Sequence, residues 1–289
     1  MSAETGFAAF NPEAFLEKAA EVILPPGHRQ VFSPSGDWNG NLRVGVDLGT
    51  AYLVLSVLSP DGMPLAGQYR FAQVVRDGLV VDYIGAVDLL REMKRDVEND
   101  LGVELTHAAS GFPPGVPQVE VRATANVVEA AGMTCTGLID EPSAANNILD
   151  LRDGAIIDVG GGTTGIGLLK DGKVIYTADE ATGGTHFSLV IAGALDIPFE
   201  EAEKLKTDPA QQPRLFPLVR PVMEKVGSII SRHLNGKPVD HIILVGGASA
   251  FPGMASVIQE YTGLPTRLSA HPMLVTPLGI AMHDKKLQE

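Results

Sequence analysis

The sequence predicts a duplicated α/β fold of two lobes about a shared cleft, and three observations predict it. One design occurs twice, first as VGVDLGTAYLVLSVLSPDGMPL at 44–65 and again as IIDVGGGTTGIGLLKDGKVIYT at 156–177. Each copy is an apolar strand ending in Asp, a turn of Gly and Thr, a second strand, an Asp-Gly hairpin and a third strand. After each copy, helices of 3.6-residue period alternate with strands, the pattern of mixed α/β layers. The chain of 289 residues, 45% hydrophobic, is long enough to bury one large core or two modest ones.

Residues 1–41 precede the repeat and read as an N-terminal helix and linker. In NPEAFLEKAAEVI, Asn11 is placed to cap a helix whose first residue is Pro12. Phe15, Leu16, Ala19, Ala20, Val22 and Ile23 then share one face. A helix this short is not stable alone in water. It docks either on its own domain or, as an amphipathic helix in a groove, on a partner. The Pro- and Gly-rich stretch from Leu24 to Asn41 reads as a linker anchored by Trp38.

From Leu42 the elements follow in order. LRVGVDLG, AYLVLSVLS and PLAGQYRFA read as strands; IGAVDLLREMKRDVENDLG is helical and stops at Gly102. LTHAASGF is a strand, PQVEVRATANVVEAAG a helix, CTGLIDEP a strand, and SAANNILD opens another helix. The second half repeats the order. GAIIDVGGG, TTGIGLLKDG and KVIYTADEA are strands, while GTHFSLVIAGAL, FEEAEKLK and LFPLVRPVMEKVGSIISRHL are helices. HIILVGG is a strand, and the helices MASVIQEYTG and TPLGIAMHD close the chain.

Charge and cysteine usage exclude several functions. A net charge of −13 and a pI near 4.9 disfavour nucleic acid and anionic lipid as partners. The single cysteine, Cys135, rules out an internal disulfide, an iron–sulfur cluster and a thiolate zinc site, and fits a reducing cytoplasm. At a helix-to-strand junction it reads as a small buried thiol. No apolar run reaches the ~18–20 residues that span a bilayer, and MSAETGF is no secretory signal. His107, His186 and His241 lack metal-ligand spacing and read as structural or surface residues.

The chemistry lies in the repeated turns. Asp47 and Asp158 each end an apolar strand, where a carboxylate is costly unless it is paired or binds a metal. The glycines behind them let backbone N–H groups approach an anion, and Thr50, Thr163 and Thr164 add hydroxyl donors. Two such turns facing each other suit a polyphosphate with Mg²⁺ between it and the acids. The sequence has no GxxxxGK[ST], and neither turn is a GxGxxG leading into a helix.

These motifs resemble the actin, sugar-kinase and heat-shock-chaperone superfamily of ATPases. VGVDLGTAY resembles its first phosphate motif, IIDVGGGTTGIGLL its second and LIDEPSAA its first connecting motif. ILVGGASAFPGM resembles its adenosine motif and PLGIAM its last connecting helix. The five stand in the right order and cover almost everything from Leu42 onward. Within the superfamily the chain most resembles a short chaperone-like family tied to ethanolamine utilization and bacterial microcompartments. The resemblance implies a duplicated ribonuclease-H-like (actin-like ATPase) fold. Lobe I would comprise 42–145 with 268–289, and lobe II 146–267.

The resemblance also assigns roles. Asp47 organises Mg²⁺ and its waters. Gly49 and Thr50, with Gly160, Gly161, Gly162, Thr163 and Thr164, hold phosphate. Asp158 places the metal or the attacking water, and Glu141 orients or activates that water; the alternative for Glu141 is a plain helix cap. Gly183 and Gly184 lie near ribose or phosphate. Glu203 and Lys206 border the nucleoside, or else form a solvated helical face. Gly246, Gly247 and Ala248 lie against adenosine.

The chain departs from larger relatives in two short stretches, between EAEKLKTDP (201–209) and LFPLVRPVMEKV (215–226) and between Phe71 and the first helix of lobe I. Peripheral subdomains are reduced there, which opens the cleft and removes surfaces used for filament contacts. No peptide-binding domain is expected after the last helix, so the action of full heat-shock chaperones is not carried over by the resemblance. The leading expectation is a cytoplasmic, chaperone-like, Mg²⁺-dependent ATP-binding protein that hydrolyses slowly. Its partner would be a protein, either enzyme cargo or a microcompartment component. A polymerising actin-like subunit and an adaptor without turnover are the alternatives. A small-molecule kinase would need a substrate pocket and a base aspartate in the first half, and neither is seen.

Overall fold

In the computed structural model, which describes residues 10–28, 41–76 and 78–284, the two copies of the motif become the centres of two sheets. The chain enters through α1 (Pro12–Val22), capped as expected by the Asn11 side chain, which accepts from the N–H groups of Glu13 and Ala14. It continues directly into a short strand, β1 (Ile23–Leu24). Residues 29–40, with Trp38 and most of the expected linker, lie outside the described residues.

The first half builds β2 (Arg43–Leu48), β3 (Tyr52–Leu58), β4 (Pro64–Phe71), a two-stranded ribbon of β5 (Val75–Arg76) and β6 (Leu79–Val80), α2 (Tyr83–Leu101), β7 (His107–Phe112), α3 (Gln118–Ala130), β8 (Thr134–Asp140) and α4 (Glu141–Leu149). The second builds β9 (Gly154–Val159), β10 (Thr164–Lys170), β11 (Lys173–Glu180), α5 (Gly184–Leu195), α6 (Phe199–Thr207), α7 (Gln212–Leu234), β12 (Ile242–Val245), α8 (Met254–Thr262), β13 (Thr266–Leu268) and α9 (Pro272–His283). Only four residues join α6 to α7, so no subdomain is inserted there.

The sheet orders are β1-β4-β3-β2-β7-β8 and β11-β10-β9-β12-β13. Without β1 they are the same order, with antiparallel pairs on the hairpin side and parallel pairs on the crossover side. Asp47 pairs with Val54 and Asp158 with Gly165, so both acids occupy equivalent ends of equivalent strands.

The halves are joined by α4 and α9, which cross against each other. Gly279 is required at the crossing: a Cβ there would run into the Ala144 carbonyl. Asn147 Nδ2 donates to the Gly279 carbonyl at 3.0 Å. Gly45 has the same task on the other side of α9, where a Cβ would lie 2.5 Å from the Ala281 nitrogen. Each sheet has its own apolar core, and a third cluster lies between them, including Val54 of β3, Ile148 of α4, Ile243 of β12 and Leu274 and Leu278 of α9.

The N-terminal helix packs into this third cluster. Phe15, Leu16, Ala19, Val22 and Ile23 are all buried in it. Its polar side reaches the start of α9, where the Ala270 N–H donates to Glu13 (3.1 Å) and His271 meets Glu17 (2.9 Å). Of the two docking sites left open by the sequence, the helix occupies its own domain. The linker reading also changes at its first residue, because Ile23 and Leu24 pair in parallel with Gly67 and Gln68.

Candidate functional site

A cavity of about 330 Å³ opens where the two Asp-Gly turns meet. The turns touch directly. A Cβ on Gly161 would lie 2.6 Å from the Ala51 methyl, and one on Gly162 would lie 2.8 Å from Thr50 Oγ1, so glycine is what allows the turns to close. Asp47, Gly49 and Thr50 line the cavity from the first half, and Asp158, Gly160, Gly161, Gly162 and Thr163 from the second. Glu141, the first residue of α4, enters the same space. Its neighbour Asp140 caps the helix by accepting from the Ser143 N–H, so Glu141 is left for the cavity.

Burial disfavours the charge on all three acids. Burial, then Asp158, pushes Asp47 up to about 7. Asp158 is raised to about 6 by burial, partly offset by the hydrogen bond from Thr276 Oγ1 to its Oδ2 (2.8 Å). Glu141 is raised well above the usual carboxylate range by burial and then by Asp158 and Asp47. All three sit deep in the molecule but open onto the cavity, which moderates their desolvation. The one cation lining the cavity among the described residues is Lys206, and it is held at 2.6 Å by Glu203. The acids therefore face each other without a cation. That donor set fits one hard divalent ion completed by waters and phosphate oxygens. Among the described residues no group of three His, Cys, Asp or Glu side chains is placed to hold a metal ion by protein ligands alone.

At the other end, Glu203 and Lys206 form a built corner rather than a solvated face. Glu203 is 7% exposed, accepts from Ser188 Oγ (2.5 Å) and Lys206 Nζ through Oε2, and has no partner for Oε1. Gly184, Gly246, Gly247 and Ala248 complete this end. Gly246 has φ +85°, and a Cβ there would strike Asp158 Oδ1.

Two expected contact residues are not on the cavity wall. Thr164 is fully buried, and its hydroxyl donates to the Thr182 carbonyl (2.6 Å). Gly183 packs beneath the turn, where a Cβ would lie 2.7 Å from the Gly160 carbonyl. Both buttress the loop that carries Gly160 to Thr163. The first N–H groups of α5 are likewise used internally: Gly184 donates to Gly160 (2.9 Å) and Thr185 to Gly161 (2.7 Å).

Other lining residues had escaped sequence reasoning. Tyr52 and Tyr69 stack edge to face with centroids 5.9 Å apart, and both line the cavity. Their signal was the hairpin register that sets Val54 opposite Tyr69. Val75 and Gly78 of the β5–β6 ribbon, with Pro113, also form wall, so the short stretch after Phe71 covers part of the cleft rather than opening it. Thr276 is the third omission, and its signal was a lone hydroxyl in the apolar run PMLVTPLG.

The sequence profile of the type IV pilus assembly protein PilM matches residues 118–289. The ethanolamine utilization protein EutJ of Salmonella typhimurium is 44% identical over 241 residues, covering 83% of this chain and 85% of that protein. The crystal structure of EutJ from Carboxydothermus hydrogenoformans superposes with a TM-score of 0.84 at 41% identity, over 94% of this chain and 97% of that one.

This chain belongs to the EutJ family.

The wider fold is actin-like. MreB5 of Spiroplasma citri, solved bound to AMPPNP, matches with a TM-score of 0.69 at 16% identity, over 84% of this chain and 95% of that one. The EutJ family thus places a duplicated actin-like scaffold, with reduced peripheral parts, in ethanolamine utilization. No helix among the described residues is long and apolar enough to cross a membrane.

Proposed function

We propose that the cleft binds Mg·ATP and hydrolyses it slowly, and that the nucleotide state governs engagement of a protein partner in ethanolamine utilization. The observation that carries this reading is the contact of the two turns over three buried, cation-free acids. Mg²⁺, when bound, would neutralise phosphate charge and hold phosphate oxygens in place. Asp47 and Asp158 would hold the metal and its waters. Gly49, Thr50, Gly161, Gly162 and Thr163 would donate N–H and O–H groups to phosphate, while Gly160, whose N–H closes the turn on the Thr163 carbonyl, would line the phosphate site without donating. Glu141, with its affinity for a proton already raised, suits taking one from the attacking water. Glu203 and Lys206, paired at 2.6 Å on the cavity wall, would border the nucleoside. Gly246, Gly247 and Ala248 leave room for a flat base.

The partner class is a protein, either enzyme cargo or a microcompartment component, and the site of action is the cytoplasm or the microcompartment surface. The test combines thermal unfolding with Mg·ATP, phosphate release, and co-purification with and without ATP. A melting curve unchanged by saturating Mg·ATP rejects the reading. A shift in melting without phosphate release, the same in Glu141→Gln as in wild type, replaces turnover with nucleotide-dependent adaptor action.

A further inference from the structure

The two aspartates occupy equivalent positions in the duplicated halves, but their surroundings differ. Asp158 is bracketed. Its Oδ2 accepts from Thr276 Oγ1 at 2.8 Å, and its Oδ1 lies against Gly246. Among the described residues no side chain donates to Asp47 in this way. Thr276 is 4% exposed and sits within a run of α9 that is otherwise apolar. Among the described residues its hydroxyl makes one hydrogen bond, to Asp158.

The surroundings hold Thr276 in place. The Gly246 N–H donates to the Pro272 carbonyl at 2.9 Å, which ties the start of α9 to the end of β12. Ser56 Oγ of β3 donates to the Pro277 carbonyl at 2.9 Å, which fixes the next residue of α9 against the first sheet. The hydroxyl therefore comes from a helix pinned to both halves. A carboxylate has two oxygens. When one is held by a fixed donor, the other is presented in one orientation.

We propose that Thr276 is a positioning residue that fixes the Asp158 carboxylate for metal-dependent nucleotide binding, leaving Asp47 as the adaptable partner of the pair. This rests on the Mg·ATP reading above. A hydrogen bond from a neutral hydroxyl to a charged group is among the stronger ones, so its loss weakens the metal contribution by about tenfold or more. Binding of the nucleotide without metal uses the turns and the Glu203–Lys206 end, and stays as it was.

The experiment compares wild type with Thr276→Val, which keeps the shape and removes the hydroxyl, and Thr276→Ser, which keeps the hydroxyl. ATP binding is measured by calorimetry in EDTA and across a Mg²⁺ titration. The expected result is a Mg²⁺ half-saturation raised about tenfold or more in the valine variant and near wild type in the serine variant, with metal-free ATP affinity equal in all three. Thr276→Ala carries the same comparison where the valine variant does not fold. Equal Mg²⁺ half-saturation in wild type and the hydroxyl-free variant overturns the proposal while leaving Mg·ATP binding intact. Equal losses with and without metal also overturn it, by assigning Thr276 a packing role. Absence of Mg·ATP binding by wild type overturns the functional reading, and this inference with it.

Discussion

The two halves share strand order, hairpins, aspartate position and a connecting helix, but differ in what was added around the same backbone. In the first, the outer edge of β4 is covered by β1 and α1; in the second, β11 is paired only with β10 among the described residues. The connecting helices differ in the polar group each sends into the cleft, a carboxylate from Glu141 on α4 and a hydroxyl from Thr276 on α9. Duplication therefore accounts for the scaffold and for the two acids facing each other. The division of chemical labour comes from single residues that break the symmetry.

The largest expected effect breaks the joint between the halves. Gly279→Ala places a methyl on the Ala144 carbonyl, a backbone group that cannot rotate away. The cost expected is about 3 kcal/mol or more, a melting decrease of roughly 10 °C in a protein of this size. Gly193→Ala in α5 is the control, because nothing lies within 4 Å of the new Cβ and alanine is the better helix former. It should leave stability equal or higher by up to about 1 kcal/mol. Urea titration of both variants checks the pair, and equal stabilities would mean that the crossing is not tight.

Next comes the difference between the acids. Ligand at 100 times its Kd stabilises the native state by about 2.7 kcal/mol, or roughly 5–10 °C here. Asp47→Asn is expected to abolish that response to Mg·ATP. The same change relieves a buried charge, so the nucleotide-free variant should melt above wild type at pH 7.5. Scanning calorimetry with and without Mg·ATP reads both, and a variant that keeps the full ligand response removes Asp47 from the metal site.

The sequence made the duplicated scaffold legible because it depends on local signals: Asp at a strand end, Asp-Gly hairpins, Gly102 after a helix, Asn11 before one. Those signals act over a few residues and survive into the structure. Most residues named from the sequence line the cavity for the same reason, since turns carry their own chemistry. What the sequence hid depended on contacts across long separations. Thr276 meets Asp158 from 118 residues away, and Ile23 pairs with Gly67 across a stretch that reads as linker. Thr164 and Gly183 were misplaced because a Thr and a Gly in a phosphate-like turn look alike whether they face ligand or support the loop. Only the hydrogen bond to Thr182 and the close packing on Gly160 distinguish them.

The same acids predict a pH dependence. An acid whose pKa is raised on folding binds more protons in the native state than in the unfolded one, so stability falls as pH rises between the two values. For Asp47 the window runs from its ordinary value of 3.8 to about 7, and for Asp158 to about 6. The nucleotide-free protein is therefore expected to lose on the order of 1–2 kcal/mol between pH 5 and 7.5, after allowance for water in the cavity. Asp47→Asn should flatten the upper part of this fall, between pH 6 and 7.5. Wild-type and variant curves that stay parallel from pH 5 to 8 would show that Asp47 ionises as an ordinary surface carboxylate.

The smallest expected effect concerns the edge covering that only the first half has. Two kinds of contact hold α1, and they have unequal weight. Phe15, Leu16, Ala19 and Val22 bury the apolar face, whereas Glu13 and Glu17 meet Ala270, His271 and Arg267 at the surface. The Arg267–Glu13 pair is 3.9 Å apart with both side chains about half exposed or more, and the His271–Glu17 pair is similarly open. Exposed pairs of this kind contribute about 0–1 kcal/mol and fade with salt. The double variant Glu13→Gln, Glu17→Gln should thus lower the melting temperature by no more than about 3 °C in low salt, and by less in 0.5 M NaCl. Protease resistance of residues 10–24 should be unchanged, because the apolar face keeps the helix seated. Rapid cleavage in that segment would mean that charge, rather than burial, holds α1 against the two halves.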